Sequence, residues 1–394
     1  MTSPLFTRRR LLAAGALLST AHLSYGAAPA AGDNRFVLII LRGGMDGLTA
    51  VPAPGDPAFA AARGTLAEFP TPALPLAGPF ALHPALAQLH AMYGRGELAV
   101  LHAVGLPYRE RSHFEAQQLL ESGGQRPHEL ATGWLGRALG ATHGKAIAMQ
   151  TAVPLVLRGH AAVDTWAPSA LPEPAPDLVA RLERMYEGDA DLARALQRAR
   201  ELRADGIGVP MMNNGMAGGQ RTGPLLTLVK QAGEFLAKPG GPQVAVLDMG
   251  GWDSHANQGA PNGAIANNLR LLDSALATLR ESLDASGQWP RTVVLVCTEF
   301  GREVAINGTQ GTDHGSGGAA FMLGGAVAGG RVIADWPGLA AKERFEGRDL
   351  RITTDLRAAF KSVLHDHLKV ASATIDRELL PGSGAVAALP LLKA

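Results

Sequence analysis

Four short runs of unbroken apolar residues punctuate the chain: Phe36 to Leu41, Leu98 to Leu101, Val244 to Leu247 and Val293 to Val296. Runs rich in Val, Ile and Leu with no polar alternation predict strands buried on both faces. Between them, over Asp177 to Arg203 and Ala264 to Leu283, apolar residues recur at steps of three and four above polar neighbours, which predicts helices. Leu225 to Leu236 and Asp355 to Leu368 add two more helices. Strand followed by helix, repeated, predicts an α/β fold: a doubly wound, mainly parallel sheet with helices on both faces. Pro52 to Pro79 and Val153 to Pro176 are rich in Pro and Ala and carry no clear period, so lid or cap insertions are expected at about 52–79 and 153–240. No tandem repeat recurs at a fixed period, which argues against a solenoid or propeller.

The first residues follow a different grammar. Thr7-Arg8-Arg9-Arg10-Leu11-Leu12 precedes a mild apolar run from Ala13 to Leu18 and then the small residues Gly26-Ala27-Ala28-Pro29-Ala30. This predicts an export signal over 1–31, and the adjacent arginines resemble a twin-arginine signal, which implies the twin-arginine export machinery as a partner and a periplasmic or secreted destination. The apolar run is shorter than the roughly 20 residues that span a bilayer, so no permanent membrane span is expected. Removing the signal takes three of the 36 basic residues and none of the 35 acidic ones, leaving 33 against 35. Charges this balanced and scattered exclude the basic stripe that nucleic-acid binding needs, and small molecules become the expected partners. Cys297 is the single cysteine, so no internal disulfide can form; 32–394 is expected to fold as one domain held by packing and metal.

Candidate chemistry lies just beyond the strands. Asp46 follows the first, in Arg42-Gly43-Gly44-Met45-Asp46-Gly47; Asp248, Asp253 and His255 follow another; Glu299 ends a third; and Asp313 and His314 stand in Gly311-Thr312-Asp313-His314-Gly315. Ligands bind in open α/β sheets outside the carboxyl ends of the strands, so these residues are expected to converge. Clustered carboxylates repel one another and call for a cation. A mixed oxygen and imidazole set suits zinc, manganese or iron, and magnesium or calcium where oxygen dominates; one or two divalent ions are expected. Each element also has a plainer reading: Asp46 and Asp248 as turn formers, Glu299 as a salt-bridge partner of Arg302, His314 as a loop histidine. His22, His102, His143 and His160 lack such surroundings and read as structural.

In Arg109-Glu110-Arg111-Ser112-His113-Phe114-Glu115, Ser-x-x-Glu precedes the helical run Ala116 to Glu121 and reads as a capping box. Ser112 therefore opens a helix, where free N–H groups attract anions. It is a candidate nucleophile beside metal, with Arg109 and Arg111 holding an oxyanion; the alternatives are that Ser112 only caps, or that His113 is the functional residue.

These strings resemble the bacterial family known as domain of unknown function 1501, within the alkaline phosphatase and sulfatase superfamily. The resemblance spans nearly all of the chain beyond the signal, and rests on Leu41 to Leu48, Arg111 to Gln117, Gly250 to His255, Thr298 to Arg302 and Thr312 to Gly315. It implies an alkaline-phosphatase-like fold in which Asp46 and Glu299 hold one metal with the Ser112 hydroxyl, while Asp253, His255 and His314 hold another. Phosphatase-like members carry Asp-His where this chain has Glu299-Phe300, which removes one histidine ligand, and the Pro and Arg that sulfatases need after their nucleophile do not follow Ser112. The function expected is that of a metal-dependent hydrolase of phosphate or sulfate esters, on a small or polymeric ester, with Ser112 or metal-bound water as nucleophile. The alternative is an inactive, metal-stabilised binding or assembly protein. A serine hydrolase built on Ser316 is disfavoured, because the nucleophile elbow needs glycine where His314 stands.

Overall fold

Seven consecutive buried residues make β1 (Arg35–Leu41), which lies at the centre of the sheet. The computed structural model describes residues 34–168, 174–205, 222–259 and 262–393. Two minor strands, β2 (Leu74–Pro75) and β3 (Ala81–Leu82), form a separate antiparallel ribbon. The main sheet adds β4 (Leu98–Gly105), β5 (Lys145–Ala148), β6 (Ala162–Thr165), β7 (Val244–Met249), β8 (Thr292–Thr298), β9 (Gly318–Leu323), β10 (Arg331–Ile333) and β11 (Thr354–Asp355). Its order is β10-β4-β9-β8-β1-β7-β5-β6, with β11 also on β4.

Alternation along β1 explains its unbroken apolarity. Val37, Ile39 and Leu41 face one hydrophobic cluster and Phe36, Leu38 and Ile40 the other, so neither face of the strand meets water. The first cluster is closed by Thr222–Ala237 and Ala264–Ala285, the second by His113–Ser122, Trp134–Thr142 and Arg357–Ser362. In Ala264–Ala285 the buried positions Ile265, Leu269, Leu272, Leu276, Leu279 and Leu283 keep the helical spacing seen in the sequence. Cutting one such leucine back to alanine costs about 2–5 kcal/mol.

The α/β class holds, but the sheet is mixed. β9 runs antiparallel between β4 and β8, because the chain returns from β8 through residues 299–317 without a helical crossover. The helical pattern at Asp177 to Arg203 divides into Pro176–Tyr186 and Ala190–Asp205, where Asp189 turns its carboxylate onto the amides of Asp191 and Leu192. Within the stretch expected to be irregular, Ala162–Thr165 joins the sheet edge against β5. Among the described residues no helix is long and apolar enough to cross a membrane. The export signal expected over 1–31 lies outside the described residues.

Candidate metal centre

β1, β4, β7 and β8 are mutually parallel and β9 opposes them, so the ends of four strands and the start of the fifth share one edge. From β4 the chain passes Arg111, in the left-handed region at φ 60, and opens the helix His113–Ser122. From β7 it runs through Gly250 and Gly251 to Asp253 and His255. From β8 it passes Glu299 to Arg302, then pairs back on itself: Arg302 bridges His314, and the Gly301 and Gly315 amides donate to the Ser316 and Gly301 carbonyls at 2.9 Å. Gly43, after β1, has φ 118, and any β-carbon there would strike the Asp253 backbone; glycine lets the two loops lie in contact.

The side chains converge tightly. His113 Nε2 lies 3.0 Å from His314 Nε2 and 3.4 Å from an Asp253 oxygen. His314 Nε2 lies 3.2 Å from the other Asp253 oxygen. His255 Nε2 is 3.0 Å from His314 Nε2 and 2.9 Å from that same oxygen. His113, Asp253 and His314 can together offer one ligand atom each to a single ion. Ligands about 2.0–2.1 Å from a tetrahedral zinc stand roughly 3.3 Å apart, close to these spacings.

The outer ring nitrogens explain why a cation fits. His113 Nδ1 meets Glu299 at 2.8 Å, His255 Nδ1 meets Asp313 at 2.9 Å, and His314 Nδ1 meets the Arg111 carbonyl at 2.9 Å. Those partners accept only, so every Nδ1 donates and every Nε2 turns a lone pair inward. Three inward lone pairs beside a carboxylate repel one another. A shared proton relieves one contact, whereas a divalent cation relieves all of them. Phe300, in the place where the family resemblance expected a histidine, packs its ring 4.7 Å from His113 and 5.1 Å from His314 and holds the rings from behind.

Electrostatics separate the members. Burial tends to raise Asp253, but the Arg302 guanidinium at 2.7 Å, with His255 and His113, outweighs it and keeps the carboxyl below its ordinary value. Burial is likewise outweighed at Glu299, lowered by His113 and Gln117. The bond from Glu299 raises His113, while burial lowers His314. The cluster is reached from the His255 side, where His255 and Asp253 are almost half exposed.

Residues 91–377 match the family described as protein of unknown function, DUF1501. The chain belongs to this family. No functionally curated protein matches it. Solved structures similar to this DUF1501 protein include a sulfatase from a Pseudoalteromonas species, at 12% identity over 98% of this chain and 75% of that one, TM-score 0.41. Another is the C-terminal periplasmic domain of EptC from Escherichia coli in complex with zinc, at 12% identity over 75% and 74%, TM-score 0.37. A third is a lipoteichoic acid synthase from Listeria monocytogenes, at 10% identity over 78% and 67%, TM-score 0.38.

Several expected site residues of the DUF1501 protein are engaged elsewhere. Asp46 is buried and caps Gly47–Ala50 through the amides of Leu48 and Thr49. It also accepts from the Thr49 hydroxyl at 2.7 Å, from Gln258 at 2.5 Å and from the Arg63 guanidinium. With its lone pairs spent and a fixed cation alongside, Asp46 is not placed to ligate a metal. Asp248 pairs with Arg42, 3.1 Å away, and Arg42 also holds Glu121 at 2.6 Å. Glu299 faces the back of His113, the Gln117 amide and the Gly43 N–H, so it orients a histidine. Asp313 does the same for His255.

Arg109, Arg111 and the capping box expected at Ser112 differ from expectation too. Arg111 is charge-paired through Nε with Asp349 and through Nη2 with Glu346, and Arg109 turns Nη1 back onto the carbonyls of Leu106 and Tyr108, so both are at least partly engaged away from an oxyanion. Ser112 opens its helix without a side-chain cap, and Glu115 bonds Tyr108 instead, so the capping box does not form. Ser316 donates to Asp349 at 2.8 Å. Arg302 pairs with Asp253, not with Glu299. Sequence reading missed the roles of Arg302, Arg63 and Gln258. Gln117 was within reach, since it stands four residues after His113 on one helix face.

Proposed function

We propose that this protein is a mononuclear metal-dependent hydrolase of phosphate or sulfate esters, a member of the alkaline phosphatase-like superfamily that holds its ion with His113, His255, His314 and Asp253. The observation that carries this reading is the set of three Nε2 atoms turned inward by three separate acceptors. When bound, a zinc-like ion supplies Lewis acidity toward an ester oxygen and lowers the pKa of water. The chain's own residues do the rest. Glu299, Asp313 and the Arg111 carbonyl hold the rings, and Arg302 fixes one oxygen of Asp253 so that the other faces His113. The helix beginning at His113 directs its N-terminal end toward the same edge, which favours an anionic group there, with Ser112 beside it as the candidate nucleophile. Arginines at Asp46 and Asp248 supply the positive charge that a second ion would bring, which supports a single ion. Export through the signal at 1–31 and cap segments at about 52–79 and 153–240 belong to the same proposal.

The test is turnover of generic phosphomonoester, phosphodiester and sulfate-ester substrates by metal-replete wild type, Ser112→Ala and His314→Ala. Metal-dependent turnover lost in His314→Ala supports the hydrolase, and loss in Ser112→Ala assigns the nucleophile. Absence of turnover in all three substrate classes, with metal bound, leaves the second reading: a metal-stabilised binding or assembly protein. The engagement of Arg109 and Arg111 in internal bonds favours that alternative.

A further inference from the structure

Two residues beyond His255 the chain enters a second feature. A groove of about 420 Å³ lies between the segment after Arg63, the segment after His255 and the loop before Gln310. Pockets that hold small ligands run from about 300 to 1,000 Å³. The groove is tied directly to the metal-bearing loop: Gln258 N–H donates to the Gln310 carbonyl at 2.9 Å, and the Thr309 hydroxyl donates to the His255 carbonyl at 2.6 Å. Beneath it, Gln258 and Arg63 belong to the buried Asp46 network, which gives the floor a rigid support.

Its lining has a definite chemistry. Asn257 presents a carboxamide and Glu68 a carboxylate, the Thr65 hydroxyl donates to the Gln310 carboxamide oxygen at 3.3 Å and leaves the Gln310 amide N–H groups to a ligand, and Ile306 supplies apolar surface beside the buried Leu66. Among the described residues no Lys, Arg or His lines the groove, a composition that does not favour an anion. Among the described residues no aromatic ring lines it either, so a cationic head group finds no cage there. Asn257 and Gln310 both hold left-handed backbone, at φ 47 and φ 61, which non-glycine residues adopt at a cost. Glycine would fit both positions more easily, yet a carboxamide stands at each. Neutral hydrogen-bonding groups beside a small apolar patch match a polyol, whose hydroxyls meet the amides and whose C–H faces meet Ile306.

We propose that this groove binds a neutral polyhydroxylated group, a sugar unit being the simplest, as the part of the substrate next to the reacting ester. The binding itself stands on the groove alone; its alignment with a reacting ester rests on the hydrolase reading.

The experiment is titration of metal-replete protein with neutral oligosaccharides (maltotetraose, cellotetraose and a galactotetraose), followed by calorimetry and by the side-chain amide signals of Asn257 and Gln310. The double variant Asn257→Gly with Gln310→Gly removes both carboxamides without backbone strain. Losing two hydrogen bonds is expected to weaken binding roughly 10- to 100-fold at unchanged metal content. Glu68→Ala, which leaves the loops intact, is expected to weaken it about tenfold. Failure of all three sugars to bind, binding undiminished in both variants, or preference for a simple amine such as ethanolamine would overturn the proposal. His314→Ala separates the two readings: sugar binding that survives loss of metal supports the groove even where turnover is never found.

Discussion

Two groups of charged side chains sit at the same edge of the sheet and solve the same problem in opposite ways. On one side Asp46 is neutralised from within, by Arg63, Gln258 and Thr49, and Asp248 by Arg42. On the other side Arg302 holds only one oxygen of Asp253, and the other oxygen and three histidines turn lone pairs toward one another without an internal cation among them. A buried acid with its own arginine is a structural element whose charge is fixed at folding. An inward-facing imidazole set with pinned outer nitrogens is a receptor, since its energy falls only when a cation arrives. The contrast teaches that acidic residues after strands are not equivalent: the partner each one finds decides whether it builds the fold or the site.

The sharpest break of this comparison is a pair of single changes. His314→Ala is expected to abolish stoichiometric metal, read by elemental analysis, while circular dichroism stays native. Asp46→Asn is expected to keep the metal; metal lost in that variant instead would mean that the two groups are one site. Next in size, Arg63→Met strands the buried Asp46 charge and is expected to cost about 3–5 kcal/mol in denaturant melts at unchanged metal content.

Acid should separate the two groups as well. His113 is raised by its bond to Glu299, so protons begin to compete with metal above the ordinary histidine range. His102 and His367 are buried, and burial pushes both down to about 4 from 6.5. On acidification the unfolded chain takes up those two protons first, so the stability they contribute is complete above about pH 6.5 and is lost as pH falls toward 4. Metal content after dialysis should therefore drop at a higher pH than the thermal midpoint does; coincident transitions would contradict the distinction. The smallest effect expected is in the supports: Glu299→Gln and Asp313→Asn should each weaken metal about 10- to 100-fold in a competition titration, with little change in melting.

Much of the fold was legible because burial on both faces writes itself as unbroken apolarity, as in β1 and β8, and because one-sided burial writes itself as helical spacing, as in Ala264–Ala285. The antiparallel β9 was not, since Gly318 to Leu323 is short and nothing local sets its direction. Of the site, Asp253, His255 and His314 were named from their positions after strands, and the structure brings them together with His113. Asp46, Asp248 and Glu299 were named by the same rule and found other partners.

The chain by itself determined which segments cross the sheet, and hence that its acids and histidines gather at one edge. Only the tertiary structure decided their roles. Arg63 and Gln258 are distant from one another in sequence, and Arg302 and Asp253 come from loops after different strands. A carboxylate becomes a ligand or a structural ion according to whether its neighbours take both oxygens, as at Asp46 and Asp248, or leave one facing the histidines, as Arg302 does at Asp253, an outcome set by the packing of whole loops and by no local pattern.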